Sequence, residues 1–180
     1  NNNLEITYGD MRDFDSVNNA VAGSDYILNL AAMISVPYSF KNPQSYVDTN
    51  VLGLLNIIRS ANLNKKKIKK IVQISTSEVY GNLMSNGKKN LLESDILKSE
   101  SPYAASKISS DHLAISMYKA LGLPIVVARP FNTFGPRQSL RAVIPTIICQ
   151  FLKNKKNKAQ VRVGSISTKR DFVYVKDTVN

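Results

Sequence analysis

Short apolar runs alternate with longer segments whose apolar residues recur at helical spacing, along most of the chain. A run of four or five apolar residues bounded by polar or glycine residues predicts a strand. Alternation of apolar and polar residues predicts a strand at Leu4–Tyr8, apolar runs predict strands at Tyr26–Leu30, Ile71–Ile74, Ile125–Ala128 and Phe172–Val175, and Val161–Val163 is a further short predicted strand. The second of them contains no charged residue, so we expect it to be buried.

The segments between these strands predict helices. The apolar stripe Val47, Val51, Leu54, Leu55 and Ile58 predicts a long helix from Pro43 to about Leu63. The other predicted helices are Asp15–Ala22, ended by Gly23, Ser101–Leu121, ended by Gly122, and Ala142–Leu152. This alternation predicts an α/β fold with a Rossmann-like, doubly wound parallel sheet covered on both faces.

Ligands of such sheets bind beyond the carboxyl ends of the strands. Polar or small residues follow three predicted strands there, at Ala31–Ala32, Ser75–Glu78 and Arg129–Asn132. Three separate loops therefore converge on one edge of the sheet.

The segment Ser101–Lys107, Ser-Pro-Tyr-Ala-Ala-Ser-Lys, carries the first candidate chemistry. Ser101 and Pro102 suit the start of a helix, which places Tyr103 and Lys107 one turn apart on one face. A neighbouring ammonium lowers the pKa of a phenol, so the pair could transfer a proton at neutral pH. Taken alone, the same spacing is also typical of a packed ring beside a solvated lysine.

Composition and charge exclude some classes of binding partner. The net charge of +11 comes largely from lysine runs at 65–70 and 153–158, after predicted helix ends. No aromatic residues interleave with these lysines, so we expect no nucleic-acid partner. The sequence contains no apolar run of membrane-spanning length, and its single cysteine excludes an intramolecular disulfide. We therefore expect a cytoplasmic protein without a membrane partner or a metal.

Four motifs together resemble the extended short-chain dehydrogenase/reductase family. They are Asn29–Ala32, Ser75–Gly81, Tyr103-x-x-x-Lys107 and Arg129–Arg137. Within that family they are similar to the NAD-dependent sugar-nucleotide epimerases, dehydratases and decarboxylases. The resemblance implies NAD as cofactor, a nucleotide sugar as substrate and a homodimer when complete.

The resemblance also implies a role for each matching residue. Asp10 and Met11 would lie by the adenine of NAD, and Leu30, Ala31, Ala32 and Ser75 along the cofactor. The catalytic set would be Thr76, Ser77, Glu78, Tyr103 and Lys107, with Thr76 on the sugar 4-hydroxyl and Lys107 on the nicotinamide ribose. Asn132 and Arg170 would contact the substrate diphosphate, and Val143, Ile144 and Pro145 the nucleotide base. Each residue could instead serve only a turn, a loop or the surface.

The glycine-rich turn with which this family begins is not found, and a helix is predicted to start at about Asp177. We therefore expect an internal piece of a longer protein: a partial NAD-binding domain over 1–180, with the substrate-binding region starting at about 137. Made alone, this piece is predicted neither to bind NAD well nor to unfold cooperatively.

The choice of reaction depends on the loop after Ile74. Glu78 would serve a 4,6-dehydratase as the C5 base, although Ser77 stands where many glucose-nucleotide dehydratases carry an acid. Residues 129–146 look most like dehydratases that act on an N-acetylglucosamine nucleotide, in legionaminic acid synthesis. We therefore predict such a dehydratase, with UDP or GDP left open. The alternatives are a UDP-glucuronate decarboxylase, a 4-epimerase, and a non-catalytic dinucleotide-binding module or inactive fragment.

Overall fold

A computed structural model describes residues 3–82, 90–153, 160–167 and 169–180. They form two compact units, Asn1–Arg129 and Pro130–Asn180. The lysines of the second run beyond Lys153 lie outside the described residues. The predicted division into a partial NAD-binding domain and a substrate region stays a prediction.

The first unit contains a three-stranded parallel sheet in the order β1-β2-β3. Its strands are β1 (Tyr26–Asn29), β2 (Lys70–Ile74) and β3 (Ile125–Ala128). Leu28 pairs with Val72, and Val72 with Val126. The predicted parallel α/β sheet is confirmed, and the carboxyl ends of all three strands lie at the same edge.

The helices of the first unit follow the sequence prediction closely, apart from short additions. They are α1 (Phe14–Val21), α2 (Val36–Ser39), α3 (Pro43–Tyr46), α4 (Gly53–Leu63) and α5 (Pro102–Leu121). A π-helical segment, Val47–Leu52, joins α3 to α4, and a 3₁₀ turn, Ser77–Tyr80, follows β2. The predicted helix from Pro43 to Leu63 is thus continuous, with a widened turn in its first half.

The hydrophobic core lies between the sheet and α1, α4 and α5. Leu54, Ile58 and Ile71 are almost completely buried in it. Burying a side chain of this size contributes about 1.5–3 kcal/mol. On the opposite face of the same sheet, Tyr26, Leu28 and Val126 are 69%, 59% and 45% exposed. Among the described residues of this unit, helices cover one face of the sheet, so the expectation of a buried β1 is wrong here.

Two predicted strands are not formed. Leu4–Tyr8 is exposed and pairs with no described strand, and an alternating segment becomes a strand only when a neighbour accepts its hydrogen bonds. At Val161–Val163 a side chain takes the place of a neighbouring strand. The Gln150 amide accepts from Arg162 N at 2.8 Å and donates to Arg162 O at 2.9 Å.

The second unit contains a two-stranded parallel sheet and two helices. Its elements are β4 (Asn132–Phe134), α6 (Val143–Lys153), β5 (Phe172–Tyr174) and α7 (Val175–Val179). Strand β4 was not predicted, because only three residues of the Arg129–Arg137 motif are extended. No described helix in either unit is both long enough and apolar enough to cross a membrane.

Lysines at helix ends account for part of the positive charge. Lys65 Nζ donates to the carbonyl of Leu121, the last residue of α5. A cation is favourable beside the free carbonyls of a helix C-terminus. This contact agrees with the interpretation of the first lysine run as solvated charge at helix ends.

Candidate active site

The turn that follows β2 carries three of the predicted catalytic residues. Thr76 caps the 3₁₀ turn, and its Oγ1 accepts from Glu78 N at 3.2 Å. Thr76, Ser77 and Glu78 are all partly buried. Gly81 ends the turn at φ 66°, ψ −151°, a conformation that is essentially restricted to glycine. The cap and the glycine together fix the backbone that presents these three side chains.

Helix α5 carries the other two. Ser101 Oγ accepts from Ala104 N at 3.1 Å, Pro102 is the first helical residue, and Gly122 ends the helix at φ 61°. Tyr103 and Lys107 therefore lie on one face, and they are 8% and 3% exposed. The sequence prediction of this helix and its two ends is confirmed. The burial of Lys107 also argues against the alternative interpretation, in which this lysine is a solvated surface charge.

The Lys107 ammonium points at the sheet. Its Nζ donates to the carbonyl of Ile74, the last residue of β2, at 2.6 Å. Burial lowers the pKa of Lys107, and the nearby charge of Asp111 opposes that change. Lys107 is thus held at the carboxyl edge of the sheet by a neutral acceptor, with a carboxylate one helical turn away.

The Tyr103 phenol lies beside the Thr76–Glu78 turn. Burial raises the pKa of Tyr103, a hydrogen bond with Thr76 lowers it, and the charge of Glu78 raises it further. The net change is upward, so the expectation that Lys107 depresses the pKa of this tyrosine is wrong for this structure. The reason is geometric, because the lysine donates to Ile74 while the phenol is desolvated.

The ring of Tyr103 is supported from the side by Tyr46. Their centroids are 6.2 Å apart at an interplanar angle of 74°, an edge-to-face contact. The Tyr46 hydroxyl donates to Ser35 O at 2.5 Å. The segment before α2 is therefore connected to the Tyr103 ring through one buried aromatic residue.

Sequence reasoning missed a second buried connection, through Asn50. Asn50 is 2% exposed and lies in the π-helical segment. Its Oδ1 accepts from Met33 N at 2.8 Å, and its Nδ2 donates to Met33 O and Ser106 Oγ at 3.1 and 2.9 Å. Asn50 thereby ties the loop after β1 to α5. The available signal was an amide inside an apolar helical stripe, where burial requires hydrogen-bond partners.

Four predicted cofactor residues line a separate cleft of about 460 Å³ beside β1: Asp10, Met11, Leu30 and Ala31. The carboxylate of Asp10 is engaged by Arg12, whose Nη2 and Nε donate at 2.6 and 3.0 Å. Hydrogen bonds from Arg12 lower the pKa of Asp10 to about 2. Asp10 therefore closes a turn in this structure, as one sequence interpretation allowed.

The backbone of Ala31 is fixed at the end of β1. Ala31 N donates to Asn29 Oδ1 at 3.2 Å, and Asn29 Nδ2 donates to Gln73 Oε1 at 2.6 Å in the interior. Ser75, the first residue after β2, is also buried, and its Oγ has no hydrogen-bond partner among the described residues. Two neighbouring strand ends thus present a small exposed side chain and an unpaired hydroxyl.

The predicted substrate residues belong to the second unit. Asn132 begins β4, and its N donates to Asp171 O at 3.1 Å, so the backbone segments of Asn132 and Arg170 are adjacent. Arg170 is exposed. Val143, Ile144 and Pro145 form the first turn of α6. Within this unit the backbone segments of Asn132 and Arg170 lie side by side, and their contact with a diphosphate stays a prediction.

A family model described as "GDP-mannose 4,6 dehydratase" matches residues 1–180. The dTDP-D-glucose 4,6-dehydratase of Dictyostelium discoideum is 33% identical over 87% of the chain and 37% of its own length. The low-salt glycan biosynthesis protein Agl12 of Haloferax volcanii is 35% identical over 97% of the chain and 54% of its own length. The chain thus spans about half, or less, of these curated relatives.

Solved structures of similar proteins include two kinds of enzyme. The UDP-N-acetylglucosamine 4-epimerase of Methanobrevibacter ruminantium, in complex with UDP-N-acetylmuramic acid, has a TM-score of 0.85 at 36% identity, over 97% of this chain and 55% of its own. DesIV, a dTDP-glucose 4,6-dehydratase of Streptomyces venezuelae with NAD bound, has a TM-score of 0.81 at 30% identity, over 94% of this chain and 50% of its own. These likenesses confirm the Rossmann-like fold.

Proposed function

Because the chain belongs to the GDP-mannose 4,6 dehydratase family, we propose that the whole protein is an NAD-dependent nucleotide-sugar 4,6-dehydratase. The observation that best supports this proposal is the placement of Glu78 beside Tyr103. Burial is the main cause of the raised pKa of Tyr103, the charge of Glu78 adds to it, and Thr76 hydrogen-bonds the same phenol. One small region therefore holds a hydroxyl, a phenol and a carboxylate.

The described residues fit NAD at the strand ends. The Ser75 hydroxyl, which no described residue hydrogen-bonds, and the buried Lys107 ammonium are donors suited to a ribose, and Ala31 leaves room for close approach. We propose that these residues, with Ala32 and Leu30, hold the nicotinamide half, and that Asp10 and Met11 lie toward the adenine. When bound, NAD would supply hydride transfer at C4 and C6 of the sugar.

Thr76 and Tyr103 would bind the sugar 4-hydroxyl and remove its proton. Thr76 orients this hydroxyl, and Tyr103 accepts its proton as the C4 hydrogen leaves as hydride. The Thr76 hydrogen bond favours the phenolate, whereas burial and Glu78 favour the neutral phenol. Lys107, fixed by the Ile74 carbonyl, would hold the nicotinamide ribose.

Glu78 would then remove the C5 proton, which the adjacent C4 ketone makes acidic. The electrons of the C5–H bond form a C5=C6 double bond, and the C6 hydroxyl leaves as water after it gains a proton. Ser77 adjoins Glu78 in the turn and is the candidate for orienting the leaving hydroxyl. Hydride addition at C6 and a proton at C5 complete the 4-keto-6-deoxy sugar.

We propose an N-acetylglucosamine nucleotide as substrate. The similarity of residues 129–146 to dehydratases with that substrate supports the proposal, as does the 36% identity with a UDP-N-acetylglucosamine 4-epimerase. Asn132 and Arg170, on adjacent backbone segments, would bind the diphosphate, for which a guanidinium is well suited. Val143, Ile144 and Pro145 would contact the base. The curated dehydratase relatives make dTDP-glucose the first competitor.

The same epimerase favours a second candidate function, 4-epimerisation of a nucleotide sugar. An epimerase needs Thr76, Tyr103 and Lys107 but no C5 base, because the ketone is rotated and reduced again. Under this alternative Glu78 would only shape the site.

Mass spectrometry of the products made by the whole protein distinguishes these functions. The panel is UDP-N-acetylglucosamine, its GDP counterpart, dTDP-glucose, GDP-mannose and UDP-glucuronate, each with NAD. Loss of water supports the dehydratase, and the substrate that loses it identifies the sugar. An unchanged mass with inverted C4 supports the epimerase, and loss of carbon dioxide from the glucuronate supports a decarboxylase. No turnover of any panel member would contradict the proposal.

A further inference from the structure

A buried ion pair joins the helix of the candidate site to the end of β3. Arg129 follows the last residue of β3, and its Nε donates to Asp111 Oδ2 on α5 at 2.8 Å. The side chains of Arg129 and Asp111 are 11% and 0% exposed. No sequence motif singled out Asp111, which lies one helical turn beyond Lys107.

The same guanidinium also binds the site turn. Arg129 Nη1 donates to the Tyr80 hydroxyl at 2.9 Å and to Glu93 O at 3.1 Å. Tyr80 ends the 3₁₀ turn that begins at Ser77, directly after Thr76. One side chain therefore contacts the helix with Tyr103 and Lys107, the turn with Thr76 and Glu78, and the segment after that turn.

The charges around Asp111 are few and of opposite sign. Lys107 faces it from its own helix and Arg129 from the end of β3, while Glu93 contributes a backbone carbonyl and Tyr80 a phenol to the cluster. Asp111 Oδ2 accepts from Arg129, whereas its Oδ1 has no hydrogen-bond partner among the described residues. The charge of Asp111 opposes the fall in the pKa of Lys107 that burial causes.

Stability alone does not explain such a pair. A buried ion pair can often be replaced by uncharged residues of similar volume without loss of stability, because its desolvation offsets its attraction. Removal of one partner is harmful because it leaves an isolated buried charge. The location of this pair, between the two elements with the candidate catalytic groups, points to a second role.

We infer that Asp111 and Arg129 are a positioning pair. Arg129 holds the Thr76–Glu78 turn against α5, and Asp111 provides the fixed countercharge of Lys107. This inference rests on the proposed function. Neither residue is expected to touch the substrate.

The test compares single and double variants of the whole protein by thermal unfolding, kcat, KM and the pH dependence of kcat/KM. Asp111→Asn leaves Arg129 and Lys107 without their carboxylate, and Arg129→Gln leaves Asp111 with Lys107 alone, so both variants are expected to unfold at lower temperature. The double variant Asp111→Asn/Arg129→Gln removes both members of the pair and leaves only Lys107 without a countercharge, so its melting temperature is expected to recover part of the way toward that of the parent. Its kcat should stay about 10²-fold lower, with KM changed far less, since small misplacement of catalytic groups has this effect.

The pH profile distinguishes the role of Asp111 as countercharge of Lys107 from the role of Arg129 in positioning the turn. Without Asp111, the buried Lys107 loses its proton at lower pH, so the alkaline limb of kcat/KM moves to lower pH. Arg129→Lys keeps the positive charge but loses the branched guanidinium that binds both Asp111 and Tyr80. The value of kcat should therefore fall, while the alkaline limb of kcat/KM stays at the parental pH. Recovery of parental kcat together with melting temperature in the double variant would overturn the inference, as would failure of both the double variant and Arg129→Lys to fold. A parent protein without turnover on any nucleotide sugar would instead contradict the proposed function.

Discussion

Lys107 on α5 donates a hydrogen bond to the carbonyl of Ile74 at the end of β2, at 2.6 Å. This contact places a buried cation where the strand ends of the parallel sheet converge. The same burial lowers the pKa of Lys107. Burial is unfavourable for the charged form of this side chain, and we propose that Lys107 serves the cofactor at that edge.

Lys107→Met should therefore stabilise the fold while it weakens NAD binding and abolishes turnover. A group whose pKa is lowered by folding binds its proton less tightly when folded. The parent protein thus gains stability as pH rises from the lowered pKa toward 10.5, the ordinary value. The advantage of Lys107→Met should be largest below that window and shrink within it. Denaturant unfolding at several pH values measures this difference.

Lys119→Met on the same helix is the matched control, because Lys119 is exposed in the last turn. Its stability should differ little from that of the parent. A destabilised Lys107→Met would mean that the bond to Ile74 outweighs the burial of the charge.

Tyr103→Phe should lower the rate of C4 oxidation by about 10²–10⁴-fold, because it removes the proton acceptor and keeps the ring. The edge-to-face contact with Tyr46 needs only the ring, so folding and NAD binding should be nearly unchanged. Single-turnover NADH absorbance measures the oxidation, and calorimetric titration measures NAD binding. Tyr118→Phe, an exposed tyrosine further along α5, serves as control. Parental turnover in Tyr103→Phe would remove the tyrosine from the mechanism.

The local signals of α5 explain why its prediction succeeded. Ser101, Pro102 and Gly122 determine both ends by backbone chemistry, and the Tyr103–Lys107 spacing then follows from helix geometry. Strands β2 and β3 were predicted equally well from the sequence, since each is a short apolar run between polar residues. These features depend on neighbours in sequence and therefore need no tertiary information.

The features that were missed depend on distant partners. Asn50 is recognisable only when Met33 and Ser106 are seen around it, and Asp111 only when Arg129 is. Leu4–Tyr8 has the alternation of a strand but no described neighbour to pair with. The direction of the pKa of Tyr103 was misjudged for the same reason, because burial, and not helical spacing, dominates it.

Gly81→Ala should destabilise the whole protein by about 1–3 kcal/mol, the usual magnitude for a side chain forced into such backbone strain. Gly81 has φ 66°, and a Cβ there would lie 2.8 Å from Lys98 O. Because Gly81 ends the site turn, kcat should fall as well. Gly164→Ala is the control, since no atom of the described residues lies within 4 Å of the added methyl group. Equal unfolding free energies in the two variants would contradict the strain at Gly81.

Glu78→Gln should separate elimination from oxidation. The change keeps the shape of the side chain but removes the proton acceptor, so loss of water should slow by about 10²–10⁴-fold. NADH should still form, and a 4-keto sugar that retains its C6 hydroxyl should accumulate. The pKa of Tyr103 should fall, because the carboxylate that raises it is gone. Mass spectrometry of quenched single turnovers in deuterated water follows both the C6 hydroxyl and deuterium entry at C5. Dehydration at the parental rate would show that another group removes the C5 proton, and a parent that never exchanges C5 would favour the epimerase.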